Sequence, residues 1–254
     1  MTPGAKHSAA DAPAAPTSTS RVLGTDGALP QGAEKRRSVE AMFDRVAPTY
    51  ERTNQVISLG LDRGWRRRAI RALGLAPGAH VLDLACGTGD LCRDLTTAGH
   101  LPVGIDFSAG MLAAAHAPDV AWVRGDGACL PFRSAGFDGL VCGFALRNFV
   151  ALDAVFAECA RVLRPGGRVS LLDAAVPQHV ILRAGNAVWF RAAVPLIGRV
   201  LSRDAEAYRY LPRSTAYLPP PAELLATLQA AGFRDVRRAT MTGGSVQLLT
   251  GTRT

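Results

Sequence analysis

The chain has 254 residues, of which 48% are hydrophobic and 20% charged, with a formal net charge of +8 at pH 7. That size suits one large domain, or one domain with additions, and the composition is that of a soluble globular protein. No run reaches the roughly 18 apolar residues that span a bilayer, and the arginine surplus admits an anionic ligand, an anionic membrane surface or nucleic acid as partner.

Residues 1–33 are rich in Ala, Pro, Ser, Thr and Gly, with few large apolar side chains. They bury too little surface to offset ordering entropy, so a disordered tail without a secretory core is expected. Order begins near Glu34. Val39, Met42, Phe43 and Val46 repeat at helical spacing, and Pro48 ends that helix. A short helix is expected through residues 53–58. Leu61, Trp65, Ala69, Ala72 and Leu73 then mark the apolar side of a longer one. Its Arg63, Arg67 and Arg71, with Arg66 and Arg68 beside them, read as a solvated face or, more sharply, as a contact for anionic headgroups. Residues 34–75 thus form a helical cap.

From His80 the pattern alternates strand and helix, which argues a parallel sheet covered on both faces. Strands are expected at 80–84, 101–105, 120–123, 137–142 and 168–172, with helices at 88–98, after Ser108, and at 152–163. Residues 176–218 interrupt this rhythm as a substrate-side insertion. Its greasy part, 176–203, carries Val180, Ile181, Leu182, Val188, Trp189 and Phe190 between arginines, and Pro195 breaks it. It either completes the core or covers a lipophilic substrate. A helix through Leu224 and Leu228 and two closing strands, at about 234–240 and 244–251, finish the domain. Cys86, Cys92, Cys129, Cys142 and Cys159 lack ligand-like spacing and read as reduced core residues, and the scattered histidines form no metal constellation.

Val81-Leu-Asp-Leu-Ala-Cys-Gly-Thr-Gly-Asp90 is the centre of this pattern. An apolar strand feeds a glycine turn and then a helix N-terminus, which brings backbone N–H groups close to a ligand. A dinucleotide fingerprint needs a third Gly or Ala, where Cys92 stands. Asp83 is the better guide, because an acid just ahead of the turn can meet a cationic group, such as the amino-acid end of S-adenosylmethionine (SAM). Ala85, Gly87, Thr88 and Gly89 form the turn itself. Asp106, about 20 residues past the glycines, can accept from two ribose hydroxyls. Phe107 and Met111 can pack on an adenine, Asp126 can accept from its amino group with Gly127 beside it, and Gly143 leaves room at the end of the fourth strand.

These features together resemble class I SAM-dependent methyltransferases. That resemblance implies a Rossmann-like α/β fold with a seven-stranded, mostly parallel sheet and an antiparallel last strand. Tyr50-Glu-Arg-Thr-Asn54 through Ser58 to Trp65, Phe144-Ala-Leu-Arg-Asn148, Arg161-Val-Leu-Arg-Pro-Gly-Gly167, Tyr208-Arg-Tyr-Leu-Pro-Arg-Ser214 and Met241-Thr-Gly-Gly-Ser245 are similar to signatures of the UbiE/MenG quinone C-methyltransferases. The likeness covers about residues 35–252. Glu51, Asp62, Gly143, Ala145 and the stretch Leu172-Asp-Ala-Ala-Val-Pro177 depart from the family pattern.

The resemblance implies methyl transfer from SAM, without a metal, to a ring carbon of a polyprenyl quinol in menaquinone or ubiquinone biosynthesis. Demethylmenaquinol is the leading acceptor, and a soluble small molecule is the alternative. Arg147 is the candidate cation that favours the ionised quinol, Asn148 orients the oxygen or a water, and Tyr50 closes the pocket. The expected setting is cytoplasmic, with peripheral contact at the inner face of an anionic membrane. Nucleic acid is not an expected partner, and a homodimer is compatible with this reading.

Overall fold

The computed structural model describes residues 29–189, 194, 196–197 and 204–254. Residues 1–28 of the expected 1–33 tail and the expected break at Pro195 lie outside those residues, whereas Gly32 and Ala33, expected in the tail, open the first helix. Seven strands form one sheet in the order β3-β2-β1-β4-β5-β7-β6. They are β1 His80–Leu84, β2 Leu101–Asp106, β3 Ala121–Arg124, β4 Phe137–Gly143, β5 Leu163–Ala174, β6 Phe233–Met241 and β7 Val246–Arg253. The first five run parallel, and β7 lies antiparallel between β5 and β6.

Strand β1 is buried from Val81 to Leu84, and apolar there except for Asp83, because both its faces are covered, as parallel sheets require. Val81 joins Ile70, Leu73, Leu91, Leu95 and Val141 under helices α3 (Asp62–Leu73) and α4 (Asp90–Thr97). Leu82 and Leu84 point the other way, into the main core with Leu140, Val155 and Phe156 of helix α6 (Leu152–Val162). Each such buried side chain contributes about 1.5–3 kcal/mol relative to exposure.

Above the carboxyl ends of the strands sits a second apolar cluster. Val39, Met42 and Val46 of α1 (Gly32–Val46) and Ile57 of α2 (Tyr50–Ile57) pack with Met111 of α5 (Ala109–Ala114), and with Tyr208 and Tyr210 from the region of the insertion. Ser108 caps α5, its Oγ accepting from Met111 N–H at 3.0 Å. Asp44 of α1 in turn accepts from Ser108 Oγ at 2.6 Å and from Gly110 N–H at 2.8 Å. The N-terminal helix is thereby fastened over the carboxyl ends of the parallel strands.

Several local expectations are corrected. Helix α1 ends at Val46 and a 3-10 turn carries Pro48, because proline at the start of a turn needs no N–H partner. Strand β5 begins at Leu163, before the Pro165-Gly-Gly167 stretch, with a register shift against β4. Cys129 is exposed, on the turn after β3, whereas the other four cysteines are buried. Arg66 is not part of the solvated face. It turns inward to Asp62, to Asp90 at 3.4 Å and to Asp94 at 2.7 Å, while Arg63, Arg67, Arg68 and Arg71 are exposed.

Helix α7 (Val180–Val188) follows β5 with Val180, Ile181 and Val188 exposed. Helices α8 (Ala205–Ser214) and α9 (Pro221–Ala230) lead to the closing strands. No helix among the described residues is long and apolar enough to cross a membrane.

Candidate active site

The strand order reverses between β1 and β4, and two adjoining hollows open at the carboxyl ends of those strands. One, of about 140 Å³, is bordered by Asp106, Phe107, Met111, Asp126 and Gly127. The other, of about 450 Å³, is bordered by Asp83, Thr88, Arg147, Tyr208 and Leu211. Tyr50, Ala85, Gly87, Gly143 and Asn148 border both. The sequence-predicted residues therefore converge, with Gly89 the one that lines neither hollow.

Gly89 instead caps α4 with φ of +88°, and a Cβ there would meet Trp122 Cη2 at 2.4 Å. The same indole would meet a Cβ on Gly104 at 2.5 Å. Trp122 thus packs beneath the glycine turn, a role that the residues of β3 did not signal. Gly143 carries a second constraint besides its place beside both hollows. Its added Cβ would meet Leu91 Cδ1 at 2.8 Å, so a side chain there would press on helix α4.

Asp83 is fully buried. Its Oδ2 accepts from Cys92 Sγ at 3.3 Å, and its Oδ1 has no hydrogen-bond partner. Burial pushes this carboxyl up to about 7, and the nearby Asp106 adds to the rise. A buried carboxylate oxygen without a donor is costly alone and well suited to a cationic ligand. Asp106 accepts from Gly87 N–H at 2.8 Å and from Ser108 N–H at 2.9 Å, and burial raises its carboxyl to about 6. Asp126 is less buried. Arg36 of α1 pairs with it at 3.1 Å, and Ala128 N–H donates to it at 2.9 Å. Asp126 lies two residues beyond the end of β3, in a turn closed by a bridge to Cys129.

Across the larger hollow stands the turn that carries Leu146, Arg147 and Asn148. Arg147 is buried, with only 5% of its surface exposed. Its guanidinium pairs through Nη1 with Asp173 and through Nε with Ser214 Oγ at 3.1 Å. Asn148 Oδ1 accepts from the Tyr210 hydroxyl at 3.1 Å. Tyr50 sits between the two ends of the site, packed edge-on against Phe43 with 6.0 Å between centroids. A Cβ on Gly87 would lie 3.9 Å from its ring. Burial raises the Tyr50 phenol above its ordinary value, although Asn54 and the positive Arg147 pull the other way.

The chain matches the ubiE/COQ5 methyltransferase family over residues 31–253. It belongs to that family. A protein of Roseiflexus sp. (strain RS-1) named demethylmenaquinone methyltransferase is 41% identical over 231 residues, covering 88% of this chain and 96% of that one. A protein of the same name from Mycolicibacterium vanbaalenii is 43% identical over 215 residues, covering 85% and 94%. A SAM-dependent methyltransferase of Thermotoga maritima aligns with a TM-score of 0.60 at 16% identity, covering 84% of this chain and 98% of that one, which fits the class I methyltransferase fold.

Sequence reasoning gave no site role to Asp173, Tyr210 or Ser214, which bond Arg147 or Asn148, although Tyr210 and Ser214 lie in the Tyr208–Ser214 signature. Asp173 stood in the departing 172–177 stretch, and an acid at the carboxyl end of a fifth parallel strand was the available signal. Among the described residues, no group of three or more His, Cys, Asp or Glu side chains is arranged to hold a metal ion.

Proposed function

We propose that this chain is a demethylmenaquinol C-methyltransferase that uses SAM as methyl donor. The observation that carries the reading is the pairing of two unlike ends of the larger hollow. At one end is a buried carboxylate with an unused oxygen, Asp83. At the other is a buried cation, Arg147, beside a chamber whose wall is mostly apolar. The names of the 41% and 43% identical relatives supply the acceptor.

SAM supplies a sulfonium methyl group, whose displacement needs no metal. The residues then divide the work. Asp83 Oδ1 takes the ammonium of the amino-acid end. Asp106 holds the ribose hydroxyls, and Phe107, Met111, Asp126 and Gly127 hold the adenine. Tyr50 lies over the glycine turn, where it would exclude water and help to hold the acceptor beside the bound donor. Arg147 favours the ionised form of the quinol hydroxyl, which raises the nucleophilicity of the adjacent ring carbon. An arginine stays protonated, so it acts through charge and the hydroxyl proton passes to water. Asn148, with its oxygen engaged by Tyr210, presents its amide N–H groups to the acceptor oxygen.

A lipid-borne acceptor also explains the rim of the larger chamber. Arg183 and Ala187 of α7 border it on one side, and Ser58 and Asp62 border it on the other. Next to these are exposed Val180 and Ile181, and exposed Leu59 and Leu61. With the exposed arginines of α3 nearby, this rim suits peripheral contact with anionic headgroups. Flotation with anionic vesicles at low salt should recover the chain, and high salt should release it. Failure to bind at low salt would remove the membrane part of the proposal.

Quinone mass spectrometry in a strain lacking the gene tests the acceptor. Accumulation of demethylmenaquinone is expected. An unchanged quinone pool would contradict the proposal and favour a soluble acceptor.

A further inference from the structure

Three buried hydrogen bonds tie the turn at Arg147 to Asp173 and Ser214, and these partners are not needed to supply a positive charge. Asp173, fully buried at the end of β5, accepts from the Arg147 backbone N–H through Oδ2 at 3.1 Å and from Nη1 through Oδ1. The Ala174 N–H donates to the same Oδ1 at 2.7 Å. Ser214, fully buried at the end of α8, accepts from Arg147 Nε and donates to the Leu211 carbonyl at 2.8 Å. Among the described residues, Nη2 has no hydrogen-bond acceptor. Two bonds on adjacent edges fix a planar guanidinium, so the remaining edge has a set direction.

Stability alone does not account for this arrangement. A buried ion pair is commonly no more stabilising than apolar side chains of the same volume. Here the carboxylate also binds the backbone of the turn it pairs with, so turn and guanidinium are held in one geometry. We infer that Asp173 and Ser214 are positioning residues for methyl transfer, which together hold the Nη2 edge of Arg147 toward the acceptor chamber. The inference rests on the reading of Arg147 as the cation at the acceptor oxygen. Ser214 gives it a further consequence. Helix α8 also lends Leu211 to the chamber wall and bonds Asn148 through Tyr210. An acceptor packed along α8 therefore touches the element that orients both Arg147 and Asn148.

The test uses the full chain and the variants Asp173→Asn, Asp173→Glu, Ser214→Ala and Arg147→Gln. SAM affinity is read by calorimetry, and turnover with a demethylated polyprenyl naphthoquinol in detergent micelles. Asp173→Asn and Ser214→Ala should bind SAM within about twofold of the parent. Their kcat should fall roughly 100-fold and roughly tenfold, with acceptor KM changed less than about threefold. Asp173→Glu should recover at least about tenfold over Asp173→Asn. Ser214→Ala removes no charge, so it decides the matter if Asp173→Asn does not fold. Parental turnover in Ser214→Ala with an inactive Arg147→Gln overturns the inference, as does loss of SAM affinity in step with kcat. Parental turnover in Arg147→Gln is a separate failure, that of the role assigned to Arg147.

Discussion

The Cys92 thiol donates to one carboxylate oxygen of Asp83 at 3.3 Å and leaves the other oxygen buried without a partner. Strand β1 and helix α4 meet at this bond, on either side of the glycine turn. The fold carries the cost of a desolvated carboxyl at the point where a cationic ligand would neutralise it.

Replacing Asp83 by Asn should therefore separate stability from binding. SAM affinity should fall by about 2–3 kcal/mol, roughly 30–160-fold, because a charge-assisted bond is lost. The ligand-free protein should become more stable at pH 8, as measured by urea unfolding. A variant with both properties unchanged would remove Asp83 from the site.

The pH dependence has a definite sign. Asp83 is raised to about 7 in the folded chain, against about 4 when unfolded. Between those values the folded state holds a proton that the unfolded chain has lost. This group's contribution to ligand-free stability therefore falls as pH rises from about 4 to about 7. SAM binding uses the ionised form, so calorimetry should show affinity rising through neutral pH with release of a proton. The Asp83→Asn variant should lack that dependence.

The two arginines Arg66 and Arg67 should behave oppositely although they are neighbours in sequence. Arg66 has 11% of its side chain exposed and faces three carboxylates, so Arg66→Ala leaves Asp62, Asp90 and Asp94 opposing one another. A loss of about 2–3 kcal/mol in urea unfolding is expected. Arg67 is exposed, and its replacement should stay within about 0.5 kcal/mol. Equal effects would refute the assignment of Arg66 to an internal network.

Gly89 and Gly104 press on the same indole for different reasons. Ala at Gly104 overpacks Trp122, which should cost about 1–3 kcal/mol, and Trp122→Leu in the same chain should relieve much of that. Gly89 has φ of +88°, so Ala there remains strained by about 1–2 kcal/mol even with the indole gone. Double-mutant cycles read by thermal unfolding should show near-full relief only for Gly104. Equal relief at both would mean that the backbone of the turn is not constrained.

The sheet is legible in the sequence because the parallel strands are largely apolar and alternate with helical spacing, and β2 and β4 end in Asp106 and Gly143. The cofactor end is legible for the same reason: Asp83, Asp106 and Gly143 are set by their place at strand ends. The acceptor end is less so. Asp173, Tyr210 and Ser214 act through bonds to residues 26, 62 and 67 positions away, and no local spacing records such contacts. Arg66 was misassigned because helical spacing shows which residues share a face but not what packs against it. Trp122 was missed because an aromatic in a short strand looks like ordinary core.

Methyl transfer to the quinol ring is tested most directly with the purified chain, demethylmenaquinol and SAM carrying a deuterated methyl group. Mass spectrometry of the quinone product should show one labelled methyl, on the ring carbon beside a hydroxyl, formed by the parent and nearly absent with Arg147→Gln. Unmodified demethylmenaquinol after incubation with active, SAM-binding protein, or a label found on oxygen, would contradict the account.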